Sequence, residues 1–593
     1  MKNRDQILTP RMVEGMIAEG HTIVIFEDLI LRLDSWLDKH PGGKLAILHM
    51  VGRDATDEIK AYHSAPTMRL FKAFRIGRHM QPGGRWPSTT PPIRGGVYRK
   101  LEPDAFESNG ADLSESHLTG SSGTDSDGAS ITSSEDAALG SSVFSLSQCS
   151  TNSLDGLSID EYVGMRKRNP HHGTNMDVGD LLSKRLLSAR SPEAEPMSKD
   201  GYTDWAVKQE VDRDLIDYPP IEPDVQEDII RKYRDLHDKV HDMGYYDCPY
   251  GEYAKESARY LTLFAASMFA LYHNWYMTSA VFLGLFWHQI MFTAHDAGHR
   301  AITHNFVVDT LIGLFIADFC CGLSLGWWKS SHNVHHLVTN QPEHDPDIQN
   351  VPLFATCPSY FRGIVSTYYD GFPFLWDAVA DIMVPLQKYT YYPIMGLARF
   401  NLYLLSWLHV ISTRASSLGG SKAWWIRPTE IAFMACYWFI FGYCLIWRTL
   451  PTWTIRVAFV LVSHIVTMPL HVQITLSHWG MSTADLGEGE SFPQRQLRTT
   501  MDVDCPAWLD FIHGGLQFQA VHHLFPRVPR HNLRKVQVLV REFCRETEIP
   551  YSICNFVDGN KVVLGRLDEV AQQVKILMAC QGHMAETGES GLH

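Results

Sequence analysis

The sequence predicts a mixed architecture: a small α+β domain at the N-terminus, a disordered acidic linker, and an all-α integral membrane domain with four transmembrane helices and a cytosolic cap. Three observations lead there. The composition of the 593-residue chain changes abruptly three times. Apolar stretches of bilayer length begin only after residue 258. Histidines concentrate in three short boxes beside those stretches. With 52 Lys and Arg against 66 Asp and Glu the formal charge is −14, and no basic block stands out, so nucleic acid is not an expected partner. The mean hydropathy of −0.14 argues against a wholly membranous transporter. Eleven cysteines form no CxxC pair, which points to neither a disulfide framework nor a zinc ribbon. The start, MKNRDQILTP, has no cleavable-signal pattern, so the soluble ends are expected in a reducing, cytosolic compartment.

Residues 1–98 read as a compact domain, with apolar runs such as IVIFEDLILRL between charged helical patches. Residues 99–200 form the linker. Between Glu102 and Glu161 there are twelve acidic residues and no Lys or Arg, too little apolar surface to offset the entropy of ordering. Residues 201–257 are polar and helical in pattern. Residues 258–593 hold the apolar stretches Leu261–Tyr276, Met277–Ala294, Phe306–Leu325, Ile431–Trp447 and Ile455–Leu476. The first two and the last two read as helical hairpins. The middle one carries Asp309 and Asp318 and is expected at the interface or buried against other helices. That gives four crossings. Arg414, Lys422, Arg427, Arg495 and Arg498 flank the second hairpin and place the large polar segments in the cytosol.

Within the first domain the run His40-Pro41-Gly42-Gly43 sets a histidine on a tight turn, and His63 follows 23 residues later. Two neutral imidazoles on opposite sides of an iron porphyrin make a saturated electron-transfer site. The stretch from Val24 to Gly77 resembles a cytochrome b5 domain. That resemblance implies haem b, with His40 and His63 as its axial ligands.

The boxes are His295-Asp296-Ala297-Gly298-His299, His332-Asn333-Val334-His335-His336 and Gln519-Ala520-Val521-His522-His523. Spacings of three and four set imidazoles on one helix face. Seven histidines packed at membrane depth are costly unless they hold something. A structural zinc is satisfied by four ligands, so eight candidates imply two metals. Imidazole suits Zn, Cu, Fe or Ni, and a neighbouring electron carrier requires a metal that changes redox state. Two non-haem irons are the expectation. The three boxes share the cytosolic face only if even numbers of crossings separate them, which four crossings and an interfacial middle segment satisfy.

From about Tyr250 to Asn555 the chain resembles the membrane-bound fatty acyl and sphingolipid desaturases. GWWKSSHNVHH, NQPEHDPDIQ and HGGLQFQAVHHLFPRVPRHNL carry the likeness. It implies iron ligation by His295, His299, His332, His335, His336, Gln519, His522 and His523. His478, in HVQITLSHW, stands where the family has a further ligand, with a buried polar contact as the alternative. Asp296, Asn333, Asp345 and Asp347 are placed to orient imidazoles, or else to serve at helix ends and turns. Gln519 in place of a first histidine, with the fused cytochrome b5, resembles the front-end desaturases. The insertion, DYPPIEPDVQ and HVQITLSHWGMSTADLG make the chain most similar to fungal Δ8-sphingolipid desaturases. It departs from the family pattern at Gln387-Lys388 and Ser477.

The resemblance implies O2-dependent desaturation of the long-chain base of ceramide in the endoplasmic reticulum membrane. NADH-cytochrome b5 reductase is the implied electron source, with both termini and the active site facing the cytosol. The alternatives are a Δ5- or Δ6-type front-end acyl desaturase, a lipid hydroxylase, and a haem-binding membrane protein without enzymatic activity.

Overall fold

The computed structural model describes residues 4–79, 86–101, 199–412, 423–487 and 489–587. The expected linker lies almost wholly outside the described residues, as do Arg414 and Lys422.

In the N-terminal domain Ile23–Phe26 (β1), Leu29–Arg32 (β2) and Arg75–Arg78 (β3) pair antiparallel in the order β1-β2-β3. The fully apolar burial of β1 explains its place against helix α1 (Pro10–Ala18). Thr9 caps that helix by accepting from the Met12 amide, and Pro10 starts it. Leu8, Val13, Ile17, Ile25 and Ile30 form the core there. Short helices α2 (Lys44–Leu48), α3 (Thr56–Tyr62) and α4 (Ala65–Phe71) build the other side. This is the expected α+β domain.

The second domain is helical. α5 (Lys199–Asp217) and α6 (Pro223–Asp242) are polar helices that lead to it. α7 (Tyr250–Tyr272) and α8 (Tyr276–Gly298) form the first hairpin, turning at Asn274 with φ +60°. Ser267 Oγ donates to the Ser279 carbonyl at 2.9 Å near the turn, and the Tyr260 hydroxyl meets Thr293 Oγ1 at 3.1 Å toward the other end.

The segment after box one is a bent pair. α9 (Phe306–Leu314) continues as a π-helical turn to Cys320, and the chain then folds by 116° into α10 (Leu325–Leu337). Asn305 and Ser324 cap the two helices by accepting from following amides. The segment expected at the interface or buried against other helices is thus a sharply bent pair, and boxes one and two at its ends come together, with His295 and His332 ring centroids 5.4 Å apart.

Among the described residues, four helices are long and apolar enough to cross a membrane: Tyr276–Gly298, Ala378–Ile411, Ile426–Thr449 and Trp453–Leu476. The total matches the expectation, but the set differs at two places. α7 falls short because Glu252, Lys255, Glu256 and Arg259 occupy its first turns. It still has to cross, because one end bonds Asp296 beside box one and the other meets the turn at Asn274. Ala378–Ile411, which includes α11 (Gln387–Ile411), was not foreseen, since four tyrosines, Pro393 and buried Arg399 dilute its pattern. Three apolar helices now separate box two from box three. The boxes meet in one place, so an even number of full crossings lies between them and one of the three does not run from face to face.

α12 (Ile426–Tyr437) and its π-helical extension to Thr449 lead through a turn, where Arg456 Nη2 donates to the Trp447 carbonyl at 2.8 Å, into α13 (Trp453–Ile465), which packs on α8, and α14 (Met468–Leu476) completes that span. The cap is built from α15 (Phe492–Thr499), α16 (Gln519–Leu524), α17 (Arg530–Thr547) and α18 (Phe556–Thr587). Val521, Leu524, Phe525, Val536 and Val540 form its core together with Tyr233 of α6.

Candidate functional site

The first site lies at the edge of the N-terminal domain. His40 follows the short turn Leu37–Lys39, and His63 ends α3. Their ring centroids are 6.0 Å apart with the planes 34° from parallel. His40 Nδ1 donates to the Gly43 carbonyl at 2.9 Å and His63 Nδ1 to the Ile59 carbonyl at 3.0 Å. These bonds fix both tautomers and leave each Nε2 lone pair for a metal. Burial pushes the His63 imidazole down to about 3 and lowers His40 as well, so both are neutral at physiological pH. A Cβ at Gly42 would stand 2.8 Å from His40 Cε1, so glycine is needed there. A pair of neutral, oriented imidazoles with one gap between them fits a haem iron.

The second site gathers the boxes. α8 ends in box one, α10 carries box two and α16 carries box three. The close approach of α8 to α10 depends on Gly298, where a Cβ would lie 2.1 Å from the Trp328 ring. Lys329 Nζ donates to the Gly298 carbonyl at 2.7 Å and caps α8.

Two groups of imidazoles result. Ligand atoms of His295, His299, His332 and His522 all lie within 4.8 Å of one another, and so do those of His335, His478 and His523. His336 sits between the groups, with ring centroids 5.0 Å from His299, 4.9 Å from His522 and 4.1 Å from His523. Nε2 of His295, His299, His478, His522 and His523 is buried without a hydrogen-bond partner, and so is Nδ1 of His336. So many orphaned lone pairs are costly unless cations fill the space among them. The donor set, all imidazole and no thiolate, suits iron. Gln519 is buried on α16 one turn before His522, with its Oε1 also unpartnered.

Residues distant in sequence orient this set. His335 Nδ1 meets Asp345 Oδ2 at 2.8 Å, and the Asn340 amide donates to the same oxygen at 2.7 Å. Asp347 Oδ2 lies 3.7 Å from the same ring nitrogen. His478 Nδ1 donates to the Thr499 carbonyl at 3.3 Å. His523 Nδ1 donates to Gln496 Oε1 at 2.8 Å, and Gln496 Nε2 donates to the His336 carbonyl at 2.8 Å. Asp502 Oδ1 accepts from the Ala520 amide at 2.7 Å and so holds the start of α16. Burial pushes the Asp502 carboxyl up to about 6 against the bonds from Tyr551, Gln537 and Ala520. Buried Arg530 pairs with Asp296 at 2.6 Å and with Glu256, tying box one to the cap. Of these residues, sequence reasoning had singled out only Asp345, Asp347 and Asp296. Gln496, Thr499, Asp502 and Arg530 carry no spacing signal. Asn333, the fourth residue proposed to orient imidazoles, points elsewhere.

Asn333 Nδ2 donates to the Gly42 carbonyl at 3.3 Å, so box two touches the turn that carries His40. Tyr62, the neighbour of His63, stands edge-on to His336 with ring centroids 5.9 Å apart. Leu337 packs into the cluster of Val24, Ile47, Met50 and Ala55, and Arg234 pairs with Asp57 at 2.7 Å. The two histidine sites therefore face each other across one interface.

The fatty acid desaturase family matches residues 273–555, and the cytochrome b5-like heme/steroid binding domain matches residues 11–80. The first match implies iron in the histidine centre and the second implies haem in the N-terminal pocket. The chain is 47% identical to a Delta 8-(E)-sphingolipid desaturase of Emericella nidulans over 591 residues, 100% of this chain and 99% of the relative. It is 42% identical to one of Candida albicans, over 98% of this chain and 99% of the relative. A Delta(8)-fatty-acid desaturase of Helianthus annuus is 39% identical over 51% of this chain and 64% of its own length.

Proposed function

The chain belongs to the fatty acid desaturase family, in the form fused to a cytochrome b5-like domain, and from that premise we propose that it is a sphingolipid Δ8-desaturase. It is an oxidoreductase of the membrane. The observation that carries the reading is the likeness to the named relatives along the full length of both parts. The E geometry of the new bond, the long-chain base of ceramide as substrate, and NADH-cytochrome b5 reductase as the outside donor belong to the same reading. So do the endoplasmic reticulum membrane and a cytosolic location for both termini and both histidine sites.

His40 and His63 would hold haem b. His295, His299, His332 and His522 would hold one iron and His335, His478 and His523 a second, with His336 between them and Gln519 completing the set. Bound there, these groups supply one-electron relay and the activation of O2 that removes two hydrogens from adjacent methylenes. The residues around them do geometric work. Asp345, Thr499 and Gln496 each fix one imidazole tautomer, so that the opposite nitrogen faces inward. Trp328 stacks on His332 at 4.5 Å between centroids and helps exclude water from that side. An alkyl chain has no polar handle at the reacting carbons, so regioselectivity has to be measured from the head group.

The test is expression in a host without Δ8-unsaturated long-chain bases, beside a His335→Ala control, with double bonds located by mass spectrometry. A Δ8 bond in the long-chain base, absent from the control, is the expected result. A new bond only in fatty acids would move the activity to the acyl front-end class. A hydroxylated product would make the protein a lipid hydroxylase.

A further inference from the structure

We propose that Gln289, Gln473 and His513 form a binding site for the amide and hydroxyl groups of the lipid head, and that this site selects sphingoid-base lipids over glycerolipids. The proposal rests on the sphingolipid reading above and extends it to named residues.

Gln289 lies on α8 and Gln473 on α14, both in helices apolar enough to cross the membrane. Both are buried, at 6% and 4% exposure. A polar side chain at that depth is expensive and is kept where it meets a partner. The two converge on the loop that precedes box three. Gln289 Nε2 donates to the Phe511 carbonyl at 2.9 Å, and Gln473 Nε2 reaches the Leu516 carbonyl at 3.5 Å. His513 Nδ1 donates to Gln473 Oε1 at 2.7 Å. These bonds fix the orientation of the Gln289 amide and the tautomer of His513. What remains are two acceptors: Gln289 Oε1, buried with no partner, and Nε2 of the half-buried His513, the nitrogen opposite the one that bonds Gln473.

The site is placed for a lipid. On the same loop Trp508, Phe511 and Ile512 are exposed, Trp508 at 71%. Exposed aromatic and aliphatic residues beside membrane helices seat a segment at the interface, so the cluster lies just behind a face that meets lipid. Gln289 precedes His295 by six residues on one helix, which is about 9 Å along its axis. The cluster and box one thus share one helix.

The chemistry discriminates. A ceramide brings an amide N–H and a C3 hydroxyl, two donors for two acceptors. The ester-linked chain of a glycerolipid offers only acceptors in that region and would leave Gln289 Oε1 unpaired.

The full-length protein in phosphatidylcholine vesicles is titrated with ceramide, with 3-O-methyl ceramide and with N-methyl ceramide, and desaturation of each is followed in parallel. Blocking a donor should weaken equilibrium binding by about ten- to a hundredfold. Gln289→Leu should bind ceramide about tenfold more weakly and lose the discrimination, with the loss falling on KM more than on kcat. Equal binding of all three lipids by an enzyme that desaturates ceramide overturns this proposal alone. So does a Gln289→Leu protein that still discriminates. Selective binding without a Δ8 product overturns the sphingolipid reading and leaves the site standing.

Discussion

The two histidine sites of this protein are built on opposite plans. In the N-terminal domain each imidazole is oriented by its own stretch of chain, His40 by a carbonyl three residues on and His63 by one four residues back. In the membrane domain His335, His523 and His478 are oriented by Asp345, Gln496 and Thr499, at separations of 10, 27 and 21 residues. The first site needs only a small domain to be folded. The second exists only when α8, α10, α16 and the strand of chain around residue 499 have all come together. Local orientation makes a site modular, and distant orientation makes it a report on the whole fold.

The largest expected effect strikes the distant plan at a ligand. His335→Ala should abolish product formation and lower the bound iron measured by metal analysis, while the haem spectrum stays intact. Next comes the local plan: His63→Ala should remove the haem absorbance and reduce activity to a few per cent, with iron content unchanged. Full activity in that variant would show that a separate carrier serves the histidine centre. Asp345→Asn should cost about 10- to 100-fold in metal affinity, because the carboxylate beside His335 Nδ1 is lost. An unchanged affinity would mean that the distant residues do not orient the ring. The smallest effect is at the seam. Asn333→Ala removes one hydrogen bond to Gly42, worth about 1 kcal/mol, and should slow reoxidation of the reduced haem by a few-fold.

The same contrast decides what could be read from the sequence. The turn at Gly42 and Gly43 and the i, i+3 and i, i+4 histidines write their geometry into neighbouring letters, so the haem pair and the three boxes were legible. His478 was legible through its place in the family pattern, and the structure sets it 4.6 Å from His335 between ring centroids. Gln496 and Asp502 were not, because a single polar residue in a polar stretch has no periodicity. Arg530 lies in a stretch that carries the family likeness, but only burial against Asp296 and Glu256 shows its role. The bilayer-length pattern found the first hairpin and the two last apolar helices, yet it missed Ala378–Ile411, whose Tyr391, Tyr403 and Arg399 turn toward other helices. The bend after Cys320 was foreseen only as a segment that does not cross, since Asp309 and Asp318 announce cost but not direction.

The contact between Asn333 and the Gly42 turn makes delivery of an electron a unimolecular event. A carrier held on its own chain meets its acceptor at an effective concentration that dilution does not change. Turnover per molecule should therefore be the same in a crowded membrane and in a sparse one, as long as the outside donor is in excess. Added soluble cytochrome b5 has to displace a resident competitor before it can help. The fusion thus trades the freedom to draw on a shared pool for a supply that each molecule keeps to itself.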